Sequence, residues 1–148
     1  MSKAYDIANG MVAHLSAATG FDGIAILVDR QLDIASEIEK RIALNRGSAK
    51  GKGAMITVFY NGFQNPDAYG APVPKVTRTY QVSVYAAPII AAGHTPADDL
   101  VELAAITLHH WEPAETYGIS EIHVFNGTAR PDDDYLIYDL EVRVQSRL

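Results

Sequence analysis

Two groups of residues in this chain are equipped for chemistry. One is an acidic triplet, Asp132, Asp133 and Asp134; the other is a set of five histidines, His14, His94, His109, His110 and His123. Carboxylates and imidazoles hold divalent metals when their spacing converges them on one point. The triplet lacks that spacing. A helix-loop-helix calcium loop alternates its acids around a central glycine and ends on a distant Glu. Three adjacent carboxylates repel one another and resist burial, so they belong in water. Arg130-Pro131-Asp132, between two alternating runs, reads as turn chemistry. His109 and His110 are neighbours on an expected helix, where successive side chains diverge by about 100°, and no H-E-x-x-H pair occurs. His14, His94 or His123 would have to converge through folding. No metal ligand and no cofactor are therefore expected.

Nucleophilic chemistry has little to work with. The chain has no cysteine, which excludes disulfides and thiolate metal sites. No G-x-S-x-G elbow surrounds any serine. "RGSAKGKG" (46–53) superficially has the look of a phosphate loop, but Gly51-Lys52 is followed by Gly53 and the earlier glycine sits one position too close. No catalytic residue is assigned, and the chain reads as a non-enzyme.

The elements that position these residues follow from periodicity. Ile7, Met11, Leu15 and Ala18 repeat at helical spacing, and Gly20 is a stop signal. "GIAILV" (23–28) is a short continuous apolar run, expected to be a strand buried on both faces. Asp33 then caps a second expected helix striped by Ile34, Ile38 and Ile42. "AMITVFY" (54–60) is a strand. Residues 61–75 form a Pro-, Gly- and Asn-rich connection, expected, like 46–53, to be mobile until assembly. "VTRTYQVSVYAA" (76–87) alternates strictly, with Tyr80, Val82, Val84 and Ala86 on one face. A third helix opens at Thr95-Pro96, with Thr95 as cap and Pro96 in the first helical position. It carries an apolar stripe from Ala97 to Trp111, with His109 and His110 in its last turn. "ISEIHVF" (119–125) and "YLIYDLEVRVQ" (135–145) are further strands. The expected fold is α+β, a single mixed, mostly antiparallel sheet flanked by helices in the order α-β-α-β-β-α-β-β. It forms one domain over residues 1–148.

Composition is that of a globular chain: 48% hydrophobic and 20% charged residues, with no apolar run long enough to span a membrane. No secretory leader is recognisable, and the absence of cysteine fits folding in a cytoplasm. The net charge of −6 is uneven. Residues 1–97 carry nine Lys/Arg against seven Asp/Glu, and residues 98–148 carry three against eleven. Lys40, Arg41, Arg46, Lys50 and Lys52 fall within thirteen positions. Such separation steers association between copies or with a partner, and the acidic balance argues against a general nucleic-acid binder. Arg46, Lys50, Lys52 and Asp132, Asp133 and Asp134 are thus candidate assembly residues. Tyr85, Phe125, Tyr135 and Ile137 join them, because they fall on the sheet side facing away from the third helix, where exposed aromatics mark interfaces. The alternative is that the first or second helix covers them.

Residues 54–148 resemble the tail terminator (tail completion) proteins of long-tailed bacteriophages. The shared pattern is a strand, a loop, a long alternating strand ending in "VYAA", a helix, and the final hairpin "EIHVFNGTARPDDDYLIYDLEVRV" with its acidic tip. "GIAILV" and the second helix depart from that pattern. The resemblance implies a structural virion protein of the tail and neck, assembled in the host cytoplasm as a homohexameric ring. Such a ring caps the tail tube, stops its polymerisation and connects to neck or head-completion proteins. DNA would pass through its lumen without sequence-specific binding, which an acidic surface would favour, and no membrane is involved. The alternatives are another neck, tail or baseplate component, or a small metal- or ligand-binding enzyme using His94, His123 or the triplet.

Overall fold

The structure is a computed structural model that describes residues 3–29, 53–64, 75–86, 96–113, 120–132 and 135–147. Helix α1 spans Lys3–Ala17, and a single 3-10 turn, Thr19–Phe21, follows it. Gly23, with φ 79°, then turns the chain into strand β1 (Ala25–Asp29), a conformation glycine adopts without steric cost. Strands β2 (Ala54–Gln64) and β3 (Lys75–Ala86) precede helix α2 (Ala97–Leu108). Strands β4 (His123–Arg130) and β5 (Leu136–Arg147) complete one sheet of order β1-β2-β3-β5-β4. Among the described strands, only β1 and β2 pair in parallel; the other neighbours are antiparallel. The α+β architecture is as expected.

Both described helices lie on the same face of the sheet. Ala4, Ile7, Ala8, Met11 and Leu15 of α1 are buried, as are Ala97, Leu100, Val101, Ala104 and Leu108 of α2. They meet the inward set of the strands: Ile26, Ile56, Val58, Tyr80, Val82, Val84, Leu140, Val142 and Val144. Each fully buried aliphatic side chain contributes about 1.5–3 kcal/mol. Helix α1 therefore does not cover the opposite face. The expected second helix, residues 33–42, lies outside the described residues.

Four boundaries differ from the sequence reading. Strand β2 continues through Asn61–Gln64 and Lys75 opens β3, so the expected 61–75 connection is shorter at both ends. Periodicity missed this because the register shifts between Tyr60 and Gly62, whose φ of 114° suits a bulge. Pro96 stands at the N-cap of α2 without a side-chain cap, rather than in its first turn; Thr95 lies outside the described residues. Helix α2 ends at Leu108, so His109 and His110 follow the helix instead of closing it. Strand β1 stands at the end of the sheet order, with Ile24 and Ile26 buried and Ala25, Leu27 and Val28 only half-buried, not sealed on both faces.

Polar groups within the helix-covered face are paired. The Tyr80 hydroxyl donates to the Ala4 carbonyl at 2.7 Å, and burial pushes its pKa upward. Arg78, only 5% exposed, donates to the Ser146 hydroxyl at 2.7 Å and the Tyr60 hydroxyl at 2.8 Å.

Candidate functional site

The face of the sheet opposite the described helices carries four of the ten expected assembly residues: Tyr85, Phe125, Tyr135 and Ile137. Because side chains alternate along a strand, the register places Met55, Tyr85 and Ile137 across three neighbouring strands. They form a small second apolar cluster, with Ala25, Leu27 and Tyr135 packed against it. Tyr85 is 5% and Ile137 4% exposed, so neither is the exposed aromatic or aliphatic marker that the sequence suggested. They pack with Met55 across neighbouring strands; the second helix, which the sequence offered as an alternative cover for them, lies outside the described residues. Tyr135 is half-buried beside them.

A polar network adjoins this cluster. Asp139 stands opposite Ser83 on β3 and Thr128 on β4. Its carboxylate accepts from the Ser83 hydroxyl at 2.6 Å and the Gln81 amide at 3.2 Å. It also accepts from Arg130 Nε at 2.9 Å. Arg130 in turn donates to the Tyr85 hydroxyl at 3.2 Å. Desolvation lowers the Arg130 pKa, but the bonds to Tyr85 and Asp139 outweigh it and the guanidinium titrates above its usual range. Three strands are thus tied by one carboxylate. The sequence showed these positions as a polar face; only the pairing register brings them together.

Phe125 is 55% exposed. It sits where β4 shifts register between Val124 and Asn126, with the Arg143 guanidinium 3.8 Å from its ring centroid. That distance is a close cation–π contact. Behind Phe125, a groove between α2 and β4 is lined by Val101, Ala105, Val124, Tyr138 and Leu140. At the hairpin tip, Asp132 Oδ1 accepts from the Tyr135 backbone N–H at 3.0 Å, the local bond by which aspartate stabilises a turn. Asp133, Asp134, Arg46, Lys50 and Lys52 lie outside the described residues.

Three histidines converge near the start of β4. His110 has φ 65°, and its backbone N–H donates to the Ile122 carbonyl at 2.8 Å. Its Nδ1 lies 3.0 Å from Glu121 Oε1, and His123 Nε2 lies 3.8 Å from the same oxygen. The donor atoms of His110, Glu121 and His123 all fall within 4.8 Å of one another. The His109 ring lies against that of His110, tilted by 51° with centroids 4.0 Å apart, and its Nδ1 accepts from the Val124 N–H at 3.1 Å. The expectation that His109 and His110 diverge on a helix fails because the helix has already ended. His14 stays apart, its ring stacked on Trp111 at 4.4 Å and its Nε2 3.1 Å from the Thr107 carbonyl oxygen. His94 lies outside the described residues.

The chain matches no protein-family model and no curated protein. Among solved structures it is similar to a chain from the virion of a native gene transfer agent particle. The TM-score is 0.62 at 16% identity, over 99% of this chain and 100% of that one. A second solved chain, whose name gives no activity, is similar with a TM-score of 0.53 at 12% identity, over 100% of this chain and 97% of that one. At such identities the likeness is one of fold, and it extends over the whole length of this chain.

Proposed function

We propose that this chain is a structural virion protein of the tail-terminator type. It would form a ring that caps the tail tube, halts its polymerisation and connects to neck or head-completion proteins. The observation that carries this reading is the fold shared end to end with a component of a virion, that of the gene transfer agent. The strand, helix and hairpin order that resembles tail terminators supports it from the sequence side. So does the architecture of the face opposite the helices. There a carboxylate-centred network and an apolar cluster stiffen the sheet, while Phe125 stands exposed at one edge. A stiff sheet with an exposed aromatic suits a building block that docks to copies of itself. The acidic stretch from residue 98 onward suits a lumen through which DNA slides without binding.

The test is co-assembly with the tube protein encoded alongside it. Purified chain added to polymerising tube protein should stop growth and appear as a ring at tube ends by electron microscopy. Light scattering should show the tubes shortening in proportion to the amount of chain added. Unlimited tube growth, with the chain absent from tube ends, would overturn the reading.

A further inference from the structure

We propose that His110, Glu121 and His123 form a binding site for one exchangeable divalent transition-metal ion, of the zinc class. This does not depend on the virion role. Two imidazole nitrogens and one carboxylate oxygen are a donor set suited to zinc and its borderline neighbours. Zinc holds such donors at about 2.0–2.2 Å, which places tetrahedral donor pairs roughly 3.3 Å apart. Two of the donor pairs here stand 3.0 and 3.8 Å apart, straddling that value, and the third lies within 4.8 Å. His110 would ligate through Nδ1 and His123 through Nε2, with Glu121 Oε1 between them.

The backbone holds these donors in place without a metal. Residues 109, 110 and 111 each bond across to the β4 side. His109 accepts from Val124 N–H, His110 N–H donates to the Ile122 carbonyl, and the Trp111 carbonyl accepts from Ile122 N–H at 2.9 Å. Donors fixed on paired backbone are preorganised, so little ordering remains when the ion binds. His109 is excluded from the ligand set by its bond to Val124, and instead packs its ring at a tilt against that of His110.

The backbone of His110 gives an independent sign. A left-handed conformation costs a non-glycine residue about 1–2 kcal/mol, and the position after a helix is usually glycine. Here a histidine occupies it, aimed at Glu121. Retaining a costly conformation with a ligating side chain points to use of that side chain. Three protein donors on half-exposed residues leave a position for water, so the ion should exchange freely. Bound, it would staple the turn after α2 to the first residue of β4.

The experiment uses the full chain, free of any affinity tag and stripped with a chelator. Zinc titration by calorimetry should give one ion per chain, and Co2+ should give the visible absorption of a low-coordinate site. Zinc at a hundredfold excess over its Kd should raise the Tm by about 5–10 °C. Glu121→Gln and His123→Ala should each weaken binding by about tenfold or more and remove the Tm rise. His110→Gly keeps the left-handed turn at no steric cost while deleting a donor, and should do the same in a chain that folds at least as well. His14→Ala should leave zinc binding unchanged. Without a metal, Glu121 would only pair with His110, with the His123 imidazole 3.8 Å away. Absence of saturable one-to-one binding, or wild-type affinity in Glu121→Gln and His110→Gly, would overturn the proposal.

Discussion

On the helix side of the sheet, Ile56, Val58, Val82, Val84, Leu140 and Val142 meet the apolar stripes of α1 and α2. On the other side, Met55, Tyr85 and Ile137 make a smaller cluster, and the positions beside it belong to Asp139, Ser83, Gln81 and Arg130. The first face is held by area and shape, which many apolar sequences supply. The second is held by directional bonds that only one register satisfies. A slip of one residue along β5 would turn Asp139 toward the helices and bring Leu140 out. The helix side therefore supplies most of the stability, while the network side supplies much of the pairing specificity.

Three substitutions put that contrast under strain. The largest effect is expected from Leu108→Ala, which empties a fully buried position on the helix side. It should cost about 2–5 kcal/mol in urea unfolding. Asp139→Ala should cost less, about 1–3 kcal/mol. Most of that loss falls on the buried Ser83 hydroxyl, since Arg130 is exposed enough to recover water. Should Asp139→Ala cost as much as Leu108→Ala, the division of labour between the faces would be wrong.

The smallest effect is expected from Tyr80→Phe, which removes one hydrogen bond from the helix side, worth about 0.5–1.5 kcal/mol at neutral pH. Its clearer signature lies in alkali. Burial raises the Tyr80 pKa, so the folded chain keeps a phenolic proton that the unfolded chain loses near pH 10. The stabilisation is complete below about pH 10 and falls as pH rises beyond it. Chemical denaturation between neutral pH and pH 11 should show a shallower alkaline loss in Tyr80→Phe than in the wild type. Equal slopes would assign that loss to other groups.

Much of the fold was legible because alternation in 76–87 and 135–145 is strict and the stripes of both helices are regular. The same alternation separated the two faces correctly. It could not say that Tyr85 and Ile137 are cross-strand neighbours in one cluster, because that depends on which strands pair. Nor could it find the His110, Glu121 and His123 cluster. The apolar stripe ran on to Trp111 and hid the end of α2 at Leu108, and with it the left-handed turn that redirects His110. Strand β2 outran its expected end for a related reason. A bulge at Gly62 breaks period two, and beyond it the residues read as loop.

The strand order has a temporal consequence. Strands β1, β2 and β3 stand side by side in the sheet in the order in which they emerge from a ribosome. Strand β4 is made before β5, yet β5 is its ladder partner and also the link joining it to β3. Until β5 is synthesised, β4 has no ladder partner, and apart from the bonds of Ile122 and Val124 to residues 109–111 the groups it will pair remain in water. The β3–β5 pairing closes over some sixty residues of chain, as in Ser83 with Asp139, a separation that slows folding through loop entropy. The nascent sheet thus waits half-built, and its last strand to appear is the one that locks both sides.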